Sequence, residues 1–328
     1  MPAMGIVPQM QEGHAVRETS PADSTPALFF QSVRSAERFF DFFTSNIRNK
    51  NTRAAYFTAA KLFSAWCGLR GITDLANVRP RDVASYIEHT EEAKSKPTAK
   101  QHLAALRALF DWMVMGQLIE HNPAHSVRGP KHIVRKGKTI VLSGGQAREL
   151  LNSIDVSTLA GLRDRALIAL MTYTFARISA ALSMKVEDYY VLGRKGKVRL
   201  QEKGGKVQEM FCHHNLDQYL EEYIAAAGLN PKGPLFPRSH GSENHLKPKA
   251  MSRQASYKMI RRRAAALGLT VKIGNHTFRG TGITAFRKNG GRLDVAQKMA
   301  GHASPETTML YDHSDDEVSL DEIERIVL

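Results

Sequence analysis

Apolar residues recur at three- and four-residue intervals between Ser32 and about Asn122. Phe39, Phe40 and Phe43 form one stripe, and Tyr56, Ala59, Leu62, Phe63 and Trp66 form a second. Such spacing puts side chains on one face of an α-helix. A short third helix is expected near Val83 to Ile87, and Leu103, Leu106, Phe110 and Met113 mark a fourth. Asn122-Pro123 ends the pattern, since the residue before a proline is driven out of helical geometry. Ahead of these helices, residues 1–28 are rich in Pro, Ser, Gln and Glu and are expected to form a flexible tail.

The pattern resumes after a basic connector, residues 127–139, that contains Arg128, Lys131, His132, Arg135, Lys136 and Lys138. Ser143 with Gln146 three positions on has the spacing of a capping box and opens a helix. Val198 and Leu200, then Gly204-Gly205, then Val207 and Met210 give a hairpin signal. Asn289-Gly290-Gly291 and Gly301 each close a helix, and Ser304-Pro305 opens another with Ser as cap. The fold class expected is mainly α with a small antiparallel β-sheet. It divides into a helical domain over 29–126, the linker, and a second domain over 140–328.

Composition adds a partner. Lys plus Arg number 46 against 32 Asp plus Glu, a surplus of +14 over 328 residues. A balance of this size concentrates polyanions at the surface, and nucleic acid leads the candidates. No long apolar run or lipidation motif points to a membrane. Cys67 and Cys212 stand in no ligand or redox spacing and read as core residues, which suits a reducing, cytoplasmic setting. Lys50, Arg53, Lys61, Lys100, Gln101 and Arg107 lie on the outer faces of the first helices. Any one of them reads more readily as a solvated side chain, while as a set beside the overall charge they read equally well as phosphate contacts. Arg261-Arg262-Arg263 with Lys258 forms a further basic run.

Four separated pieces of the second half hold the groups that phosphoryl transfer needs. They are Thr174-Phe175-Ala176-Arg177-Ile178-Ser179 at a helix junction, Glu202-Lys203-Gly204-Gly205-Lys206 at the hairpin tip, His276-Thr277-Phe278-Arg279 on one helical turn, and Gly301-His302 followed, after Thr307-Thr308, by Tyr311. Two guanidiniums offer planar paired donors to the non-bridging oxygens of a phosphodiester. A free phenol is ionised to roughly one part in 10³ at neutral pH, so a tyrosine nucleophile needs a base or a positive field. Cys212-His213-His214 lacks a second ligand cluster and reads as structural.

In order and spacing these pieces resemble the tyrosine recombinase (phage integrase) family, from about Val141 to the C-terminus and more weakly back to Ser32. The resemblance implies an N-terminal core DNA-binding domain and a catalytic domain that cuts and rejoins DNA at a specific site through a 3′-phosphotyrosyl link, with no metal or cofactor. Tyr311 would be the nucleophile, Arg177 and Arg279 the phosphate clamp, His276 the base, Lys203 the acid for the leaving 5′ hydroxyl, and His302 a donor to the phosphate. DNA backbone contacts are expected from Lys50, Arg53, Lys61, Lys100, Arg107, Arg135, Lys136 and Arg262. In this family a terminal helix docks into a neighbouring subunit. The stripe Leu320, Ile323, Ile326 and Val327 fits that use, with four copies on DNA in the nucleoid and accessory DNA-bending proteins as further partners.

The resemblance fails in one place, where Ala180 and Ala181 follow Ser179 and the family carries an acidic residue and a leucine. Two rival readings use the same residues: a type IB topoisomerase that relaxes DNA, and a DNA-binding or architectural protein whose catalytic groups are idle. An RNA-binding module is a weaker third, since no aromatic RNP-type strand is present.

Overall fold

The computed structural model describes residues 26–132, 137–202, 205–240 and 242–313. The chain forms two compact units that part between Ile133 and Val134, inside the basic connector.

The first unit is helical. Its elements are α1 (Val33–Asp41), α2 (Lys50–Gly68), α3 (Pro80–Ala93) and α4 (Lys96–Met115), with α4 packed on both α2 and α3. Ser32, Asn49 and Ser95 cap α1, α2 and α4 with side-chain oxygens, which satisfies amides that a helix start leaves open. The third helix is longer than the pattern suggested because Pro80 at its first turn and Asp82 behind it start it early. The core is aromatic: Phe29, Phe39, Phe42, Phe63 and Phe110 are fully buried. One expected stripe residue is corrected, for Phe40 is exposed and Phe42 takes its place inside. After α1 the chain makes a π-helical turn over Phe42–Asn46, and the wider turn rotates the following side chains out of a 3.6-residue rhythm. Packing also starts inside the stretch read as tail, since Leu28 is buried.

The second unit is built around α6 (Leu159–Thr174), which is buried on nearly every side. It follows α5 (Gly144–Asn152), whose Ser143–Gln146 capping box forms as expected. Then come α7 (Ile178–Ser183), β1 (Tyr189–Leu192), β2 (Lys195–Gln201), β3 (Val207–Phe211) and α8 (His214–Ala227). The three strands form one antiparallel sheet with β2 central and Val198 and Leu200 turned inward. A second hairpin, β4 (Pro237–His240) with β5 (Ser242–Ala250), packs on α6. The chain goes on through α9 (Arg253–Ala266), α10 (Asn275–Lys288), α11 (Leu293–Ala300) and the short α12 (Pro305–Met309).

Within this core Asp164 is fully buried and bonded to Arg163 at 2.7 Å and Arg263 at 2.9 Å, with Arg262 at 3.6 Å. A carboxylate removed from water needs such partners. Gly301 closes α11 with a φ of +57°, and Gly290 follows α10. Pro305 opens α12 as expected, but the Ser304 side chain does not cap it and bonds the Thr307 hydroxyl instead.

Candidate active site

The site is assembled where α6 ends. Phe175 leaves the helix in the left-handed region, with a φ of 55°, and redirects the chain so that Arg177 becomes the N-cap residue of α7. The Phe175 ring is buried beside Ile283, Ala296 and Ala300, in the small cluster that Tyr311 also joins. A Cβ added at Gly282 would lie 2.0 Å from the Thr172 carbonyl oxygen and 2.8 Å from the Phe175 ring. Only a glycine there lets α10 come this close to the end of α6.

That approach sets Arg279, which is 1% exposed and faces α6 from α10. One terminal nitrogen donates to the Phe175 carbonyl. The other donates to the Ala300 carbonyl at 2.5 Å and meets Nε2 of His302 at 2.5 Å. Its Nε–H is buried without a hydrogen-bond partner among the described residues. His302 follows the left-handed Gly301, and its Nδ1 meets the Thr308 hydroxyl at 2.9 Å. Thr308 lies on α12, so this bond ties the histidine to the short helix that leads into Tyr311. The tyrosine ring stacks on His302 with centroids 5.5 Å apart, lies 6.4 Å from the His276 ring, and has the Arg279 guanidinium carbon 5.7 Å from its centre. Thr284 donates to the Tyr311 carbonyl at 3.1 Å, and Arg287 holds Asp312 at 3.0 Å. The helix between the imidazole and the phenol, α12, has only five residues.

Arg177 completes the group. Its guanidinium pairs with Glu202 at the foot of the β2–β3 hairpin, and its side chain remains 28% exposed. A Cβ added at Gly301 would lie 3.9 Å from Arg177 Nη1 and 3.7 Å from Glu202 Cγ. A side chain there would make only ordinary contacts, so the glycine before His302 serves the left-handed turn.

Burial and two neighbouring guanidiniums shape the titration. Burial, then Arg279 and Arg177, push His302 down to about 4. Lost hydration and the same two cations, Arg279 before Arg177, lower His276, although that residue as a whole is exposed. Burial and then Arg177 bring Arg279 down to about 10, while Glu202 and Tyr311 act the other way. Both imidazoles are thus neutral near pH 7, and a neutral ring accepts a proton. Each nitrogen of His302 is already engaged in the protein. Donation to a phosphate, the role expected for it, requires Arg279 to turn from Nε2 toward the ligand.

Five of the six residues read from sequence as catalytic therefore converge: Arg177, His276, Arg279, His302 and Tyr311. The sixth, Lys203, lies outside the described residues, as do the expected DNA contacts Arg135 and Lys136, the tail 1–25 and the stripe Leu320, Ile323, Ile326 and Val327. Lys50 and Lys100 are exposed, and Lys61 is half-buried. Arg53 and Arg107 are half-buried and donate to the carbonyls of Ile47, and of Ala124 and Val127, so part of each fork has a structural task. Arg262 is exposed on α9 beside Asp164. His213 caps α8 and stacks on Tyr173 at 4.2 Å, the structural use expected of the Cys-His-His run. Burial raises both thiols, Cys67 and Cys212, to about 12, which leaves them inert. Sequence reasoning assigned no task to Glu202 or Phe175. A carboxylate next to the hairpin lysine was the available signal for the first, and none marks the second.

The comparisons with known proteins agree with this geometry. Residues 36–116 match the phage integrase N-terminal SAM-like domain. The tyrosine recombinase XerD of Ralstonia nicotianae is 28% identical over 302 residues, 90% of this chain and 94% of that protein. Its namesake in Listeria monocytogenes serotype 4b is 27% identical over 265 residues, 80% and 88% of the two chains. The site-specific recombinase XerH, solved on its palindromic difH substrate after cleavage, has the same fold with a TM-score of 0.66 at 19% identity, over 93% of this chain and 98% of that one. Residues 141–318, more than half of the 328, match the phage integrase family, and the chain belongs to that family of tyrosine recombinases.

Proposed function

We propose that this protein is a site-specific DNA recombinase in which Tyr311 attacks a backbone phosphorus held between Arg177 and Arg279. The phenol proton passes to the neutral His276 ring as the Tyr311 oxygen bonds phosphorus. The bond from phosphorus to the 5′ oxygen breaks, and Lys203 protonates that oxygen as it leaves. The protein is left joined to the 3′ end through a phosphotyrosine, which stores the bond. Attack by a new 5′ hydroxyl reverses the steps and reseals the strand. The arginines act by preorganised donation to the oxygens on which charge grows. What carries the reading is one tyrosine ring with Arg279 and two neutral histidines around it, and Arg177 beside the Gly301 that leads into His302.

Duplex DNA is the partner. Lys50, Arg53, Lys61, Lys100, Arg107, Arg135, Lys136 and Arg262 track its phosphates, each with whatever donors its structural bonds leave open. Four copies linked through the segment with Leu320, Ile323, Ile326 and Val327, in the cytoplasm on the nucleoid and with DNA-bending proteins, complete the reading. No described helix is long and apolar enough to cross a membrane.

The test uses a pool of randomised, nicked duplexes from which a cleaved strand end diffuses away. The full chain should trap a subset of sequences covalently, with the adduct on Tyr311 by peptide mass spectrometry. Tyr311→Phe should bind the same duplexes and trap none. Undiminished adduct from that variant refutes the nucleophile. Adducts without sequence preference, together with relaxation of any supercoiled plasmid, favour a type IB topoisomerase. Binding with no adduct from the unmodified chain favours an architectural protein.

A further inference from the structure

Glu202 is an ionisable group at the centre of the site that the reaction above leaves without a task. β2 ends at Gln201, and the Glu202 amide donates to the Lys206 carbonyl at 2.7 Å, which fixes the residue at the root of the hairpin. Its side chain turns inward, is 5% exposed, and takes a bond from Arg177. A carboxylate removed from water requires such a partner, so the pair stays together unless another anion competes for the arginine.

The benefit to Arg177 follows from its place in the chain. As the N-cap residue of α7 it projects from a turn, and its long side chain has many rotamers to lose. A guanidinium has five donors in a rigid fork, so a carboxylate on one edge orients the plane and leaves other donors for a phosphate. The local helix offers no substitute. Position 180 is the third residue of α7, the place from which a carboxylate reaches back toward its own N-cap residue. Here it is Ala180, 2% exposed, and α7 has no side-chain cap. Glu202 also acts beyond Arg177, because its charge sustains the protonation of Arg279 against burial.

We infer that Glu202 is the positioning residue of Arg177, supplying from the hairpin the carboxylate that α7 lacks. The inference rests on the proposed reading, in which Arg177 clamps the scissile phosphate. Glu202 touches no reacting atom. It sets where the clamp stands before DNA arrives, and a misplacement of about 1 Å costs up to about 10²-fold in rate.

The experiment takes the duplex recovered from the covalent selection and measures single-turnover cleavage and DNA affinity for the full chain. The variants are Glu202→Gln, Glu202→Ala, and Glu202→Ala with Ala180→Glu. Both single variants should cleave about 10- to 100-fold more slowly at unchanged melting temperature. Their DNA affinity should be equal or higher, since a negative charge beside the phosphate has gone. Glutamate at 180 should return most of the rate. Cleavage by Glu202→Gln within threefold of wild type overturns the inference, and that variant keeps the shape of the site should the alanine fail to fold. Equal losses of cleavage and affinity also overturn it, as does a folded double variant no faster than Glu202→Ala. Failure of the wild-type chain to form any adduct removes the recombinase reading and this inference together. Adduct from wild type and equal adduct from the variants removes this inference alone.

Discussion

Phe175 offers a test in which two energetic terms can be separated. It is a bulky residue in left-handed geometry, with a φ of 55°, and is 3% exposed. That backbone region costs an ordinary residue about 1–2 kcal/mol and a glycine nothing. The buried ring works in the opposite direction, since truncating a core phenylalanine to alanine costs about 3–5 kcal/mol. Phe175→Ala loses the ring and keeps the backbone cost, so the full cost of about 3–5 kcal/mol is expected. Phe175→Gly also loses the ring, but it relieves the left-handed backbone while adding about 0.4–1 kcal/mol of unfolded-chain entropy. The glycine variant should therefore be the more stable of the two, by about 0.5–1 kcal/mol. In a helix interior the order is the reverse.

The assay follows from where the tryptophans are. Trp66 and Trp112, the only two in the chain, both lie in the first unit, so their fluorescence reports that unit. Circular dichroism reports both units. For a unit of this size about 1 kcal/mol moves the midpoint by roughly 2–4 °C. The alanine variant should lower the dichroism transition of the second unit by roughly 6–20 °C, with glycine above it by about 1–4 °C. The fluorescence transition should stay in place. An alanine variant as stable as the glycine variant or more so refutes the argument, because it would mean that the left-handed turn is not retained.

Two further outcomes are expected. Asp164→Asn leaves Arg163 and Arg263 facing a neutral amide in the core, and breaking a buried pair in this way typically costs about 3–5 kcal/mol, measured by urea unfolding followed by circular dichroism. His302 binds its proton less tightly folded, at about 4, than unfolded, at about 6.5, so the unfolded chain takes up the extra proton between those values; stability should fall as pH drops through that window, and His302→Asn should flatten the slope in unfolding measured from pH 7 to 4.

The parts of this molecule that were legible in sequence share one property: their signal is local. Leu103, Leu106, Phe110 and Met113 repeat at helical spacing and are all buried. Ser143 and Gln146 bond each other within one turn, and Arg177, the His276–Arg279 pair and Gly301-His302 each sit in a short stretch with its own chemistry. What escaped depends on tertiary closure. Phe39, Phe40, Phe42 and Phe43 crowd little more than one helical turn, so the pattern alone does not say which of them face inward, and the core takes Phe42 and leaves Phe40 outside. β5 was missed because Ser242–Ala250 reads Ser-Glu-Asn-His-Leu-Lys-Pro-Lys-Ala, with no alternation of apolar and polar positions. The Arg177–Glu202 pair joins residues 25 apart across two elements, and no spacing rule links a helix N-cap to a hairpin root. Phe175 has a side chain that argues against the backbone it adopts.

The two arginines of the site are prepared in different ways, and this bears on how a phosphate enters. Arg279 is nearly sealed from solvent and tied to two main-chain carbonyls and His302, with Nε left over. Its position follows from the close passage of α10 across the end of α6, which Gly282 permits, and no side chain has to move to establish it. Arg177 is more exposed and answers to one carboxylate on a hairpin. An arriving phosphate therefore meets one donor already built into the core and one whose existing partner carries the same sign of charge as itself. On the proposed reading, reorganisation on binding falls on both sides: Arg279 turns from His302 Nε2, and Arg177 loosens from Glu202.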